Sequence, residues 1–153
     1  MPQSNGNETV VIVDDEEMVL KSLGAFLSLE TEYSVQTFVS ANDALKFIES
    51  NGANVVISDY LMPEMDGMKF LKHVKDLKPE IPRIILTGYA DKENAIKGIN
   101  EVGLYQYLEK PWDNNDLLII LRNALERQRL VKALLDKMEE LKGLQSEVLK
   151  AFI

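Results

Sequence analysis

Val10-Val11-Ile12-Val13-Asp14-Asp15-Glu16-Glu17 decides how this chain is read. A four-residue apolar run has the length and composition of a buried strand, and here it passes straight into carboxylates. Charge at the end of a buried strand is costly unless that end opens on a polar site. The arrangement recurs at Val55-Val56-Ile57-Ser58-Asp59. Carboxylates gathered at the carboxyl edge of one sheet would repel one another. A hard divalent cation relieves that repulsion, and Mg²⁺ takes carboxylate oxygens together with water and phosphate oxygens. The pattern points to a metal-and-phosphoryl site.

Outward from these two runs, strands and helices alternate. Thr9–Val13 reads as the first strand. A helix follows from Glu16 to about Leu29, with Val19, Leu20, Leu23, Phe26 and Leu27 at helical spacing. Tyr33–Phe38 alternates as a strand nearer the edge. Ser40 is expected to cap a helix over Ala41–Ser50, closed by Asn51-Gly52. Asn54–Ser58 is the third strand, followed by a loop over Asp59–Asp66 in which Pro63 bars helix. A third helix begins at Gly67, capped by Asp66, and runs to about Leu77. Arg83–Leu86 is the fourth strand, ending at Thr87-Gly88. Asp91 is expected to cap a helix ending near Val102-Gly103. Tyr105–Leu108 is the fifth strand, and Asp113 or Asn114 starts the last helix. This alternation argues for a parallel sheet covered on both faces. Ligands of such sheets sit outside the carboxyl ends of the strands. Asp14, Asp15, Asp59, Thr87 and Lys110 all fall at or just after those ends.

The last helix is too long for the rest. From Asn114 to Phe152 it would span about 58 Å at 1.5 Å per residue. Val131, Leu134, Met138, Leu141, Gln145, Val148 and Phe152 alternate by three and four, a heptad stripe that Leu130, Leu135, Leu144 and Leu149 widen. The expectation is a protruding coiled-coil dimer. The plainer alternative is an amphipathic helix folding back on the domain, with Gly143 as a break.

Bulk properties narrow the class. At 153 residues one domain is expected, plus an extra element. Hydrophobic content of 46% and charged content of 27% are ordinary for a globular chain. A net charge of −8 argues against direct nucleic-acid binding and against an anionic membrane surface. With no cysteine, disulfides and thiolate zinc sites are excluded. No apolar run approaches the roughly 20 residues that span a bilayer. Residues 1–7 are polar, lack a secretory signal's apolar stretch and read as a disordered tail. The expected location is the cytoplasm.

Taken together, Asp14-Asp15, Asp59, Thr87 and Lys110-Pro111 resemble the receiver domain of bacterial two-component response regulators. The stretch Asp59-Tyr60-Leu61-Met62-Pro63-Glu64-Met65-Asp66-Gly67 is similar to that family's phosphoacceptor loop. The resemblance covers about residues 8–127 and leaves 128–153 as a helical linker or coiled-coil extension. It implies a CheY-like, flavodoxin-like α/β fold: a doubly wound five-stranded parallel sheet in the order 2-1-3-4-5, with an extended C-terminal helix.

The resemblance also implies roles. Asp59 would be the phosphoacceptor, attacking a phosphohistidine to form an acyl phosphate. Mg²⁺ (or Mn²⁺) would be held by Asp15, Asp59 and the backbone carbonyl of Leu61, with Asp14 binding directly or through water. Lys110 would donate to a phosphoryl oxygen and pair with Asp59 at rest. Lys110-Pro111 is a candidate cis peptide. Thr87 would bond the phosphoryl group, and Tyr107 would be the aromatic that fills the space Thr87 vacates. Tyr89 and Leu61 would flank the phosphoryl group and slow its hydrolysis. The donor would be a sensor histidine kinase or a phosphotransfer protein.

Other residues have plainer readings. Glu16 and Glu17 read as acids at a helix N-terminus, and the same role for Asp14 would leave Asp59 unexplained. Trp112 reads as a packing anchor and His73 as a surface residue. Three competing functions fit less well. A Mg²⁺-dependent phosphohydrolase with an aspartyl nucleophile usually has a second Asp two residues on, where this chain has Leu61. A nucleotide or flavin module should lead from its first strand into a phosphate loop rich in glycine or hydroxyls; this strand leads into four acids. A pure interaction domain would have lost one of the acids or Lys110. The distal helix is either a homodimerising linker to an output domain beyond Ile153 or a dimerisation arm that is itself the output. The mid-pattern stop at Ala151-Phe152-Ile153 favours the linker.

Overall fold

The computed structural model describes residues 8–88 and 91–152, without the side chains of 99–101, 145, 146, 148, 149 and 152. The elements run β1 (Thr9–Val13), α1 (Glu17–Glu30), β2 (Ser34–Phe38), α2 (Ala41–Asn51), β3 (Val55–Asp59), α3 (Gly67–Leu77), β4 (Arg83–Thr87), α4 (Lys92–Glu101), β5 (Gln106–Glu109) and α5 (Asn114–Phe152). All strand pairs are parallel, in the order β2-β1-β3-β4-β5. The order reverses between β1 and β3, where Val10 pairs with Val55 and Val13 with Ser58. Asp14 and Asp59 thus stand at the switch point, the usual ligand position in such sheets.

Both faces of the sheet are buried, and the strands sort their residues between them with a period of two. Val10, Ile12, Val55, Ile57, Ile84 and Leu86 face α1 and α5, while Val11, Val13, Val56 and Ile85 face α2, α3 and α4. At about 1.5–3 kcal/mol for each fully buried aliphatic side chain, these two cores supply the main drive to fold.

Helix ends follow local chemistry. Ser40 Oγ accepts from Asp43 N at 3.2 Å and Asp66 Oδ1 from Lys69 N at 2.8 Å. Asp113 Oδ1 accepts from the amides of Asn115 and Asp116. Gly52 (φ 75°) and Gly103 (φ 69°) close α2 and α4 in the left-handed region that favours glycine. Two expected helix caps are corrected. Neither Glu16 nor Asp91 makes a side-chain cap bond; ahead of α1, Asp14 Oδ1 accepts from the amide of Glu16 itself at 2.9 Å and so fixes the turn into the helix. The alternative of a break at Gly143 is not taken: α5 runs through it, because without neighbours on that stretch the helix's own hydrogen bonds govern and one glycine costs only about 1 kcal/mol. Element ends shift by one or two residues, as at β3, which includes Asp59.

α5 has two unlike halves. Leu117, Leu121, Ala124 and Leu125 are fully buried against the sheet. Beyond Arg129 the apolar residues are open: Leu130, Leu134, Met138, Leu141 and Leu144 are all exposed by more than half. Polar bonds at the amino edge hold the helix where it leaves the domain. Asn54 bonds Thr9 through its Oδ1 (2.8 Å) and its backbone N–H (2.9 Å), and its Nδ2 donates to buried Gln128 at 3.4 Å. Arg129 grips Glu8 with two bonds of 3.0 and 3.1 Å.

Candidate functional site

Asp14, immediately after β1, is fully buried, and Asp59, the last residue of β3, is nearly so. Exposed Asp15 completes a group in which one carboxylate oxygen from each residue lies within 4.8 Å of the others. Strand hydrogen bonding fixes these positions: Asp14 N donates to Phe38 O at 3.1 Å and Tyr60 N to Leu86 O at 3.0 Å. Lys110, just past β5, has its backbone N–H on Thr87 O at 2.9 Å, and its peptide bond to Pro111 is cis. From there its ammonium reaches Asp59 Oδ1 at 2.9 Å and Asp14 Oδ2 at 3.4 Å.

The electrostatics follow from this crowding. Burial lifts the Asp14 carboxyl above its ordinary value, and the charge of Asp59 adds to the lift; the Glu16 amide and Lys110 oppose it without cancelling it. Burial alone would lower the Lys110 ammonium, but its bonds and attraction to Asp59 and Asp14 leave it raised. One ammonium thus serves two carboxylates while a third faces the solvent. An all-oxygen donor set with excess negative charge fits a hard divalent cation.

The loop from Asp59 to Gly67 is held from two sides. Gly67 N donates to Tyr60 O at 2.8 Å, and a Cβ on Gly67 would overlap the Asp59 carbonyl oxygen. Glu64 Oε1 accepts from Ser40 Oγ at 2.7 Å and Asn42 N at 3.4 Å, which lowers its carboxyl and ties the loop to the start of α2. Neither restraint emerged from sequence reasoning. The glycine beside Asp66 was a visible signal for the first; nothing in the sequence pairs Glu64 with Ser40. Leu61 lies on this loop with its side chain exposed.

Thr87 is fully buried, its hydroxyl donating to Gly88 O at 3.0 Å. Tyr107 is half-buried against the α2–α4 core, with Lys92 Nζ 6.0 Å from its ring centre. Tyr89 lies outside the described residues. Trp112 packs on the α1–α5 core, and His73 is exposed on α3. The structure therefore brings Asp14, Asp15, Asp59 and Lys110 together, with Thr87 beside them on the next strand.

Residues 10–122 match the response regulator receiver domain family. The chain belongs to that family. It is 39% identical over 127 residues to the hydrogenase transcriptional regulatory protein HoxA of Cupriavidus necator, covering 83% of this chain and 26% of that protein. It is 33% identical over 135 residues to the transcriptional regulatory protein FixJ of Rhizobium meliloti, covering 88% of this chain and 65% of the relative. A response regulator receiver domain protein from Clostridium thermocellum superposes with a TM-score of 0.76 at 34% identity, over 81% of this chain and 98% of that one. The receiver spans about a quarter of the length of the HoxA relatives it matches. Receiver domains are signalling modules, and the expected sheet order and C-terminal helix are both present. Among the described residues, no helix is long and apolar enough to cross a membrane.

Proposed function

We propose that this receiver accepts a phosphoryl group on Asp59 from a phosphohistidine of a sensor kinase or phosphotransfer protein. One observation carries the reading: Lys110 Nζ bridges Asp59 and Asp14 within a cluster of three carboxylates. An Asp59 carboxylate oxygen attacks phosphorus, the P–N bond breaks, and the imidazole leaves with the electron pair. Asp15, Asp59 and the Leu61 carbonyl, with Asp14 directly or through water, would hold Mg²⁺ or Mn²⁺. That ion supplies charge neutralisation for the carboxylates and the incoming phosphoryl oxygens. Lys110, already against Asp59, then donates to a phosphoryl oxygen. Gly67 and Glu64 keep the loop, and so the Asp59 backbone, in place.

The readout would begin at Thr87. Its hydroxyl exchanges the Gly88 carbonyl for a phosphoryl oxygen, and Tyr107 turns into the space left behind. The face formed by α4 and β5 changes with it. Exposed Leu61, with Tyr89, would hinder attacking water and lengthen the phosphoryl lifetime; a half-life of seconds in purified protein with Mg²⁺ would contradict this. Residues 8–127 form the receiver and 128–153 the extension, whose open stripe would pair with a second copy as a coiled coil and relay the switch to an output domain. The setting would be the cytoplasm. Intact mass after incubation with a phosphorylated kinase and Mg²⁺ tests the reading. It predicts one added phosphoryl group, absent in Asp59→Asn and absent without divalent cation.

A further inference from the structure

The distal half of α5 carries more apolar surface than one partner helix can cover. Leu130, Leu134, Leu135, Met138, Leu141 and Leu144 are all exposed, from 48% at Leu135 to 66% at Leu130. At about 100° per residue, these side chains spread over about 180° of the helix circumference, with Leu135 at one border and Leu144 at the other. Asp136, Glu139 and Glu140 fall on the opposite face. The centre of the stripe is turned by about 110° from the side on which Leu117, Leu121, Ala124 and Gln128 meet the domain. The stripe is thus a separate face and not a continuation of the seam that packs on the sheet.

A two-stranded coiled coil uses a narrow seam of a and d residues, whereas a helix facing a larger core carries a face of about 100° or more. With Val131 and Met138 at a, Leu134 and Leu141 fall at d, Leu135 and Lys142 at e, and Leu130, Lys137 and Leu144 at g. In a two-stranded coil the e and g residues ordinarily close the flanks with opposite charges. Here no acid stands at any e or g position from 130 to 151. A parallel pair would set Leu130 on the partner's Leu135 and Lys137 on the partner's Lys142, which places two ammonium groups together. Reversing one helix opposes g to g and e to e, and still brings no opposite charge to the flank. Lys137 finds its counter-ion within its own helix, with Glu140 at 3.2 Å. A pair therefore buries Leu134, Met138 and Leu141 and leaves its sides apolar.

We propose that the distal stripe is the core face of a four-helix bundle built from four copies of this chain, two pairs packed side by side. In a square bundle each helix meets two neighbours at right angles. Its apolar face is then one seam widened by a quarter turn, which is the width this stripe has. Leu130, Leu135 and Leu144 fill the space between the pairs. The stems of Lys137 and Lys142 lie along the rim with their ammonium groups in water. The inference rests on the self-pairing proposed for the extension and deepens it; it does not depend on phosphorylation of Asp59.

Sedimentation equilibrium of the full chain across a wide range of concentration tests this. A species of four times the 17.3 kDa chain mass is expected to dominate at the upper end. Leu130→Glu combined with Leu135→Lys supplies the opposite charges that close a two-stranded flank, and should reduce the assembly to two chains. Leu134→Gln combined with Leu141→Gln breaks the seam within each pair and should give single chains. All four positions lie beyond the half of α5 that packs on the sheet, so the amide spectrum of residues 8–127 should keep its folded dispersion in both variants. That readout separates loss of assembly from loss of folding. A parent that stops at two or three chains, or four chains retained by the Leu130 and Leu135 variant, overturns the bundle and leaves self-association of the extension standing. A parent that stays a single chain at every concentration overturns both, whether its own domain, another protein or a lipid surface then covers the stripe.

Discussion

At the amino edge of the sheet, Asn54, Thr9 and Gln128 complete one another's hydrogen bonds, and Arg129 closes on Glu8. At the carboxyl edge, Asp14, Asp15 and Asp59 crowd together, with Lys110 bridging two of them. The same strands connect both edges. Groups that only hold the fold are matched with complementary partners. The groups proposed for chemistry are left mismatched, and the folded core absorbs the cost. Arg83, also at the amino edge, clamps three backbone carbonyls and leaves only its buried Nε without an acceptor among the described residues.

The contrast can be broken by experiment. The largest effect is expected at Lys110: Lys110→Ala should cut the rate of phosphoryl transfer to Asp59 by about a hundredfold or more, because a preorganised charge at the reacting oxygens is lost. Stopped-flow or gel-based transfer kinetics at saturating Mg²⁺ would show this. Next comes the loop. Gly67→Val forces a side chain into the Asp59 carbonyl and should destabilise the fold by about 1–3 kcal/mol in denaturant melts, with a larger loss of transfer than of stability.

The mismatch itself predicts a gain. Asp14→Asn should stabilise the metal-free protein by on the order of 1 kcal/mol at pH 7, because it removes a buried charge yet keeps an oxygen for the Glu16 amide. Asp14 has a raised pKa in the fold, so the folded state holds its proton more tightly than the unfolded chain does. The cost of ionising it grows as pH rises through the window between the ordinary and the raised value. The advantage of Asp14→Asn should therefore be full above that window and vanish below it. Thermal melts across pH would show this, and added Mg²⁺ should stabilise the parent more than the variant. The smallest effect belongs to the matched edge: Arg129→Ala should cost less than about 1 kcal/mol, since that pair is half-exposed and screened by solvent.

The same contrast explains what the sequence could disclose. In a parallel α/β sheet every strand ends on one edge, so apolar runs stopping at Asp14 and Asp59, and Lys110 after the last run, could be placed together from order alone. Ser40 and Asp66 act locally as caps and were legible for that reason. Glu64 on Ser40 and Arg83 on Gly103 depend on closeness between segments distant in sequence, and residue type does not encode that. Glu16 takes the cap position of α1 without a side-chain cap bond, and its own amide is held by Asp14 two residues before it. The heptad in α5 was legible as periodicity, and it begins beyond the half of the helix that packs against the sheet through Leu117, Leu121, Ala124 and Leu125.

Intact-mass analysis of the full chain after incubation with a phosphodonor and Mg²⁺, followed by peptide mapping, tests the central claim most directly. The account predicts a single phosphoryl group on the peptide containing Asp59, with none on Asp59→Asn and none when the divalent cation is removed. A phosphoryl group on another residue, or equal labelling of Asp59→Asn, would contradict it.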